Sequence, residues 1–405
     1  MSSNTPWLDR HAWRDNYIAS DSRRSWWMIW VAAVFVNFFG VMILINSGEL
    51  LEQMRDEPMA AIAFIFPLMG LLIVGLAVRS TLQWRRFGPS PLMLDPFPGS
   101  LGGQVGGVID VAMPHEVDHL YRVQLNCVRS YISGSGKNRS RKESVKWQVD
   151  GVCHAEAQGG HTRLSFRFDV PAGLPESDVH RSGTYHLWRV SVSASLPGVD
   201  FSRYFDIPVF DTGGTASSIE RGTESHAGTM DLAMQGIETV ADIRPMPGGI
   251  EAYFPAFQRP TQGLFLTGIG LLFGGIGVGV GLGGDAIVLP IIFTLIGGLM
   301  AVGGAFYLGK ALRVAVSPEG VVSRRFLFGY PITTRRLPAA DVRAFSVVEA
   351  GSMSSGKKTT VYYQLHATGP DDKKVPVAER LTGRTEAELL KETYETYLGS
   401  PVTRT

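Results

Sequence analysis

Apolar residues gather in four long runs set in two close pairs, residues 26–46 with 59–78 and residues 263–282 with 286–308. Elsewhere they fall in short alternating runs. Each long run matches the ~20 helical residues needed to cross a ~30 Å hydrocarbon layer. The pattern predicts a membrane α-helical protein with two transmembrane hairpins, four helices in all. Its polar mass is divided between an all-β domain and a small β-rich domain that ends in a helix. The expected boundaries are an N-terminal segment 1–25, hairpin 26–78, linker 79–98, β domain 99–211, linker with short strands 212–262, hairpin 263–309 and a C-terminal domain 310–405.

Loop charges orient the spans. Arg10, Arg14, Arg23 and Arg24 precede the first, Arg79, Arg85 and Arg86 follow the second, and Lys310, Arg313, Arg324 and Arg325 follow the fourth. The loop 47–58 carries Arg55 against Glu49, Glu52, Asp56 and Glu57. Lys and Arg are retained on the cytoplasmic side, so both termini and the β domains are expected there, in a bacterial inner membrane. Trp26, Trp27, Trp30 and Trp84 fall at the inner ends of their spans, where an amphipathic ring suits the headgroup layer. The first span follows a long polar segment with no small-residue cleavage site after it, so it reads as a retained helix.

Composition narrows the function. The net charge of +1 gives no bulk field for nucleic acid. Two cysteines, Cys127 and Cys153, exclude a disulfide scaffold and suit a reducing compartment. No Asp, Glu, Lys, Arg or His lies inside any span, which counts against an ion or proton path. The third span is crowded with glycine. Gly270 and Gly274, and Gly275 and Gly279, are four residues apart, so each pair lines one face and admits a neighbouring backbone. That face serves packing inside the hairpin or, alternatively, a homo-oligomer seam.

Residues 99–211 alternate apolar and polar positions in short runs broken by Gly, Pro, Ser and Asp, as strands of an antiparallel sandwich do. Leu164, Phe166 and Phe168 share one strand face and are expected in the core. Three elements follow in order: the run 163–177 with its turn at Pro171 and Pro175, the strand 185–194 beginning Tyr-His-Leu-Trp-Arg-Val, and the run 197–209 ending Ile-Pro-Val. This order resembles the second half of an arrestin-like β-sandwich, which implies a protein-binding or scaffolding module. Residues 212–228, rich in Gly, Ser and Thr, read as a flexible linker. Short β-like runs follow at 237–243 and 249–254, expected to complete the sandwich sheet or lie beside the membrane.

After the fourth span, six or seven short strands lead to a helix at 385–397, with Thr385 as its expected N-cap and Glu388 three residues on. This order resembles the PH-like domains that follow membrane hairpins in bacteria. The whole layout resembles a group of uncharacterised bacterial multi-pass membrane proteins with a domain of unknown function, a resemblance that implies no activity.

Catalytic and metal motifs are absent from the sequence. His115 and His119 form His-x3-His beside Pro114, on a turn and not on the helix that such ligands need. The glycines at 102–107 lack the Lys-Ser/Thr of a phosphate loop, and neither Ser165 nor Ser191 sits in a nucleophile elbow. No cofactor is expected. Two basic clusters remain, Arg324, Arg325, Arg335 and Arg336 after span four and Lys137, Arg139, Arg141 and Lys142 on a loop of the sandwich. They are candidates for contact with lipid headgroups or an acidic partner, or else a solvated surface. The reading is a non-enzymatic scaffold or adaptor in the lipid bilayer, presenting β domains to a protein or lipid partner. The alternative is an accessory subunit of a channel or transporter, or a small oligomeric conduit.

Overall fold

The computed structural model describes residues 5–20, 22–46, 48, 65–136, 139–258, 260–283, 288–355 and 358–399. They form a mixed helix and sheet protein in two compact units, the first drawn mainly from residues up to Met230 and the second mainly from Asp231 onward. The expected loop 47–58 apart from Gly48, the beginnings of the second and fourth apolar runs, and Lys137 lie outside the described residues.

The first unit contains helices α1 (Ser22–Ile45) and α2 (Ile65–Phe87). Ten strands follow: β1 (Leu92–Asp95), β2 (Gly99–Ser100), β3 (Gln104–Val111), β4 (Arg122–Ser133), β5 (Ser140–Val152), β6 (His154–Gln158), β7 (His161–Asp169), β8 (Tyr185–Ala194), β9 (Phe201–Ile207) and β10 (Val209–Phe210). Two four-stranded antiparallel sheets, ordered β1-β3-β7-β6 and β5-β4-β8-β9, share one apolar core, and β2 pairs with β10. The core follows from period-two alternation. Leu164, Phe166 and Phe168 of β7 point inward, as do Val190 and Val192 of β8 and Phe201, Phe205 and Ile207 of β9, all fully buried. Each such side chain contributes about 1.5–3 kcal/mol through burial.

Two segments read as polar connections are parts of this unit. Before α1, Trp13 is buried and donates its indole N–H to the Asp206 carbonyl at 2.8 Å. Ile18, also buried, bridges Leu92. The linker expected at 212–228 is instead a strap laid on the sheet. Asp95 accepts hydrogen bonds from the Ser218 hydroxyl at 2.6 Å and the Ser218 amide at 2.8 Å, and Arg167 donates to the Ile219 and Glu220 carbonyls, both at 2.7 Å. Satisfying these groups in place removes the reason for a Ser/Gly-rich stretch to stay solvated. Gly106 makes the room, since a Cβ there would lie 3.0 Å from the Ser217 hydroxyl.

The rest of the chain comprises α3 (Ala227–Val240), β11 (Asp242–Met246), β12 (Gly249–Phe254), α4 (Pro260–Gly283), α5 (Val288–Gly309), β13 (Lys310–Ser317), β14 (Gly320–Leu327), β15 (Tyr330–Pro338), β16 (Ala344–Ser355), β17 (Lys358–Thr368), β18 (Lys374–Leu381) and α6 (Arg384–Leu398). The run expected as a strand at 237–243 is largely the end of α3. The two strands after it complete neither the sandwich nor a separate pair. They join a five-stranded sheet ordered β11-β12-β13-β14-β15, with β12 antiparallel to β13 and Phe254 opposite Leu312. The α4–α5 hairpin is therefore an insertion between two neighbouring strands. The final helix begins one residue before Thr385, and its cap is Gly383. Buried Glu386 accepts from the Thr382 and Gly383 amides at 2.8 and 3.2 Å, holding the first turn where Thr385 was expected to.

Four helical stretches are long and apolar enough to cross a membrane: Trp27–Ile45, Pro67–Phe87, Gln262–Leu282 and Val288–Gly309. Their side chains remain largely uncovered, with Val34, Phe35, Leu271 and Leu299 each well over half exposed.

Candidate functional site

The four arginines after the last apolar helix do not form one cluster. Strand register places Arg313 opposite Arg324, Arg324 opposite Thr334, and Val322 opposite Arg336, so Arg313, Arg324, Thr334 and Arg336 share the outer face of the five-stranded sheet. A groove of about 650 Å³ on this face is lined by Arg324, Phe326, Pro331, Thr334 and Arg336. Arg325 and Arg335, one residue along each strand, point the other way. Arg325 pairs with Glu379 of β18, and Arg335 donates to the Lys374 carbonyl at 3.1 Å. Alternation along β14 and β15 could have made this division from the sequence. Arg313, which sequence reasoning did not include, lies 5.1 Å over the Tyr253 ring and 4.0 Å from Glu251.

Below the groove, the turn between β14 and β15 rests on the end of α5. The Phe328 amide donates to the Gly309 carbonyl and the Phe257 amide to the Leu308 carbonyl, both at 2.8 Å. Their rings are 6.3 Å apart, and a Cβ on Gly309 would lie 2.6 Å from the Phe328 ring. Phe257, Phe328, Tyr330 and Ile332 are 54, 52, 77 and 48% exposed, an uncovered apolar tip at the helix end. Behind it, Lys310 stacks 5.0 Å from the Tyr307 ring and 4.0 Å from Glu379. Burial draws the Lys310 ammonium below its ordinary range, with Glu379 opposing.

Of the four glycines expected to pack helices, Gly270 and Gly274 lie against α5. A Cβ on Gly270 would meet the Gly297 carbonyl at 2.6 Å, and one on Gly277 would meet the Thr294 amide at 2.6 Å. Gly274 joins the contact through its backbone, since a Cβ on Gly297 would collide with the Gly274 nitrogen and lie 2.8 Å from its Cα, whereas Gly275 and Gly279 face open space among the described residues. The seam that forms has a seven-residue repeat, Gly263, Gly270 and Gly277 against Gly297 and Gly304, because two helices at a shallow crossing angle meet every second turn. Of the two four-residue pairs, Gly270 and Gly274 both meet Gly297, and Gly275 and Gly279 lie on a neighbouring stripe.

The first hairpin uses hydrogen bonds. Trp30 donates to the Thr81 hydroxyl at 2.9 Å, and Asn37 donates to the Ala33 and Gly70 carbonyls at 2.8 and 3.1 Å. Asn37 escaped a search restricted to ionisable groups. The end of α2 then docks on the loop before β9. Arg79 pairs with Asp200 at 2.8 Å, Gln83 donates to the Asp200 carbonyl at 2.8 Å, and Phe87 meets Phe201 edge-on at 5.2 Å. Buried Arg203 donates to the Gly88 carbonyl at 2.7 Å, placing a cation at the negative end of α2. Its burial draws the guanidinium down to about 10.

The second basic cluster lies at the β4–β5 turn. Arg139 and Lys142 are exposed there. Arg141 is held by the Ser130 hydroxyl and the Gly183 carbonyl, both at 3.1 Å, and by the Tyr185 ring at 4.8 Å. Arg122, at the other end of β4, pairs with Ser193 of β8, which runs into the loop that receives α2. At ~3.3 Å per residue the turn is about 35 Å from that loop.

Among the described residues no group of three or more His, Cys, Asp or Glu is placed to hold a metal ion. Cys127 and Cys153 are buried and unbridged, and burial pushes both thiols up, Cys127 to about 12. They have the environment of inert core residues. The class thus defined is a mixed helix and sheet chain with four apolar helices long enough to cross a membrane and two β-rich units.

No protein-family model and no curated protein matches the chain. Among solved structures it is similar to Spo0M, a sporulation control protein from Bacillus subtilis, at 13% identity and a TM-score of 0.22, over 61% of this chain and 87% of that one. It is also similar to the uncharacterized protein lmo2446 from Listeria monocytogenes EGD-e, solved with α-D-glucose, β-D-glucose, magnesium and calcium. That match has 9% identity and a TM-score of 0.18, over 71% of this chain and 18% of that one. At these TM-scores neither likeness carries an argument about this chain.

Proposed function

We propose that the chain is a non-enzymatic integral protein of a bacterial inner membrane. In this reading two helical hairpins anchor an arrestin-like β-sandwich, the two-sheet first unit, and a PH-like domain, the β-rich second unit. Both face the cytoplasm and serve as a scaffold or adaptor for a protein or lipid partner. One observation supports it above the others: each apolar hairpin leaves and returns to a single folded unit. Trp13, before α1, and Phe87, at the end of α2, both pack into the first core. In the second unit β12 and β13, on either side of the α4–α5 hairpin, are hydrogen-bonded neighbours. An even number of crossings brings the chain back to the side it left, so each unit can fold whole on one face. Lys and Arg at the inner ends favour the cytoplasmic face.

The turn at Arg139 and Lys142 is the partner-facing end of the sandwich in this account, since it stands about 35 Å along β4 from the loop that receives α2. A photo-crosslinker at Ser135 in intact cells should join a discrete protein, and Arg139→Glu with Lys142→Glu should remove that product. A product unchanged by the charge reversal contradicts the scaffold reading. The open glycine face, Gly268, Gly275 and Gly279, favours a second reading as an oligomeric conduit or channel accessory. Solute flux through the reconstituted chain would decide for it.

A further inference from the structure

We infer that the groove between Arg324 and Arg336 holds the phosphodiester of an anionic glycerophospholipid from the leaflet at the end of α5. The inference rests on the membrane reading above and names the ligand of one of its surfaces. Arg324 and Arg336 are exposed, and neither has an ion pair or hydrogen bond among the described residues, unlike Arg325 and Arg335. No carboxylate lines the groove, and its floor, Phe326 and Pro331, is apolar. Two guanidiniums flanking a hydroxyl donor, Thr334, match a phosphate with oxygens on several sides. The apolar floor matches the glycerol and upper acyl carbons.

Position selects the lipid over a soluble anion. The Phe257 and Phe328 amides donate to the carbonyls of Leu308 and Gly309, the last residues of the apolar helix, and the Phe328 ring covers Gly309, so the turn lies at its end. With Tyr330 and Ile332 they give an exposed amphipathic tip of the kind that settles at a headgroup layer. Leu327 pairs with Tyr330 at the tip, Arg324 is three residues up β14, and Arg336 pairs with Val322, five residues up. At ~3.3 Å per residue these stand at most about 10 and 17 Å above the tip, and a long arginine stem spans part of the remainder. The same face carries Arg313, so the field over the groove is positive even with Glu251 beside it.

Native mass spectrometry of the full chain in detergent, titrated with phosphatidylglycerol or phosphatidylcholine, tests this. Two charges at roughly fivefold each predict a preference for phosphatidylglycerol of about twenty-five-fold. Arg324→Gln with Arg336→Gln should abolish it, the double Lys variant should retain most of it, and Arg129→Gln with Lys146→Gln, two exposed cations of the first unit, should leave it unchanged. Size-exclusion profiles confirm that each variant is folded. A double Gln variant that keeps the wild-type preference overturns the inference. So does displacement of the lipid by glycerol 1-phosphate at equal concentration, which would assign the groove to a free phosphate. Carbonate washing of native membranes separates the two claims. A chain released by carbonate refutes the membrane reading, whereas a retained chain with no lipid preference refutes only the groove.

Discussion

The two hairpins solve one packing problem in different ways. Helices α1 and α2 meet through side-chain hydrogen bonds, Trp30 to Thr81 and Asn37 to Gly70, and α2 continues into a docked end on the first β unit. Helices α4 and α5 meet through close backbone approach at glycines, Gly270 and Gly274 against Gly297 and Gly263 against Gly304, and their outer ends continue into paired strands. In an apolar medium no hydrophobic force draws helices together, so close packing and hydrogen bonds are the available means. The first pair tolerates bulky neighbours but needs particular polar groups. The second needs no polar group but tolerates no Cβ at the glycines of its seam.

The largest expected effect separates these two cases. Gly297→Leu drives a side chain into the α4 backbone and should cost about 3 kcal/mol or more, with loss of monodisperse protein in detergent. Gly275→Leu, on the same hairpin but facing open space, should change the thermal midpoint little. Equal damage from both would break the seven-residue assignment. Next, Asn37→Leu should cost about 1 kcal/mol, the scale of one interhelical hydrogen bond in a membrane. Gly70→Ala should act through the same contact, because a Cβ on Gly70 would lie 2.6 Å from the Asn37 side-chain oxygen. The double variant should therefore cost less than the sum, and strict additivity would show that the clasp is not shared. Smaller still, Arg79→Ala removes a pair exposed on both sides and should cost about 0.5 kcal/mol or less by chemical denaturation.

The weakest effect is a pH response confined to the strap and not to either hairpin contact. The Gly228 amide donates to Nδ1 of His226, whose ring lies 4.8 Å from His154. Burial first, and the His154 charge second, lower the His226 pKa. The folded state thus favours the neutral ring, and the unfolded chain takes up the proton first. Stability is full above the ordinary histidine range, ~6.5, and falls as pH drops through it toward the lowered value. Urea midpoints of the wild type should decline between pH 7.5 and 5. His226→Asn, which keeps an acceptor and cannot titrate, should flatten that decline, while the effect of Gly297→Leu should not depend on pH.

The sequence revealed elements better than it revealed partners. Length and apolarity located four helices, and period-two alternation located most strands, including β8 and β12 at their observed bounds. Alternation carries no information about which strand lies beside which, so β12 and β13, separated by an entire hairpin, could not be joined by inspection. Helix α3 was hidden by weak local preference. It contains Gly228, Gly236 and several threonine and β-branched positions, and its buried stripe, Ala233, Ile237 and Val240, is short. Gly236 is required there because a Cβ would collide with the Glu386 carboxylate. The strap at 212–228 was misread because Ser, Thr and Gly are as suited to side-chain capping of a sheet as to solvent. The basic clusters were found, and alternation splits the four arginines between two faces, but which pair is occupied depends on β18, whose position beside β14 the sequence did not announce.

Thiol labelling at three positions tests the account most directly. The native thiols are buried, so single cysteines placed at Gly48, Ser135 and Lys373 report alone. With a membrane-impermeant maleimide on intact spheroplasts, Gly48→Cys should react, while Ser135→Cys and Lys373→Cys should react only after permeabilisation. Reaction of either β-unit position in intact spheroplasts, or silence of Gly48→Cys until lysis, would contradict a chain that returns twice to one face.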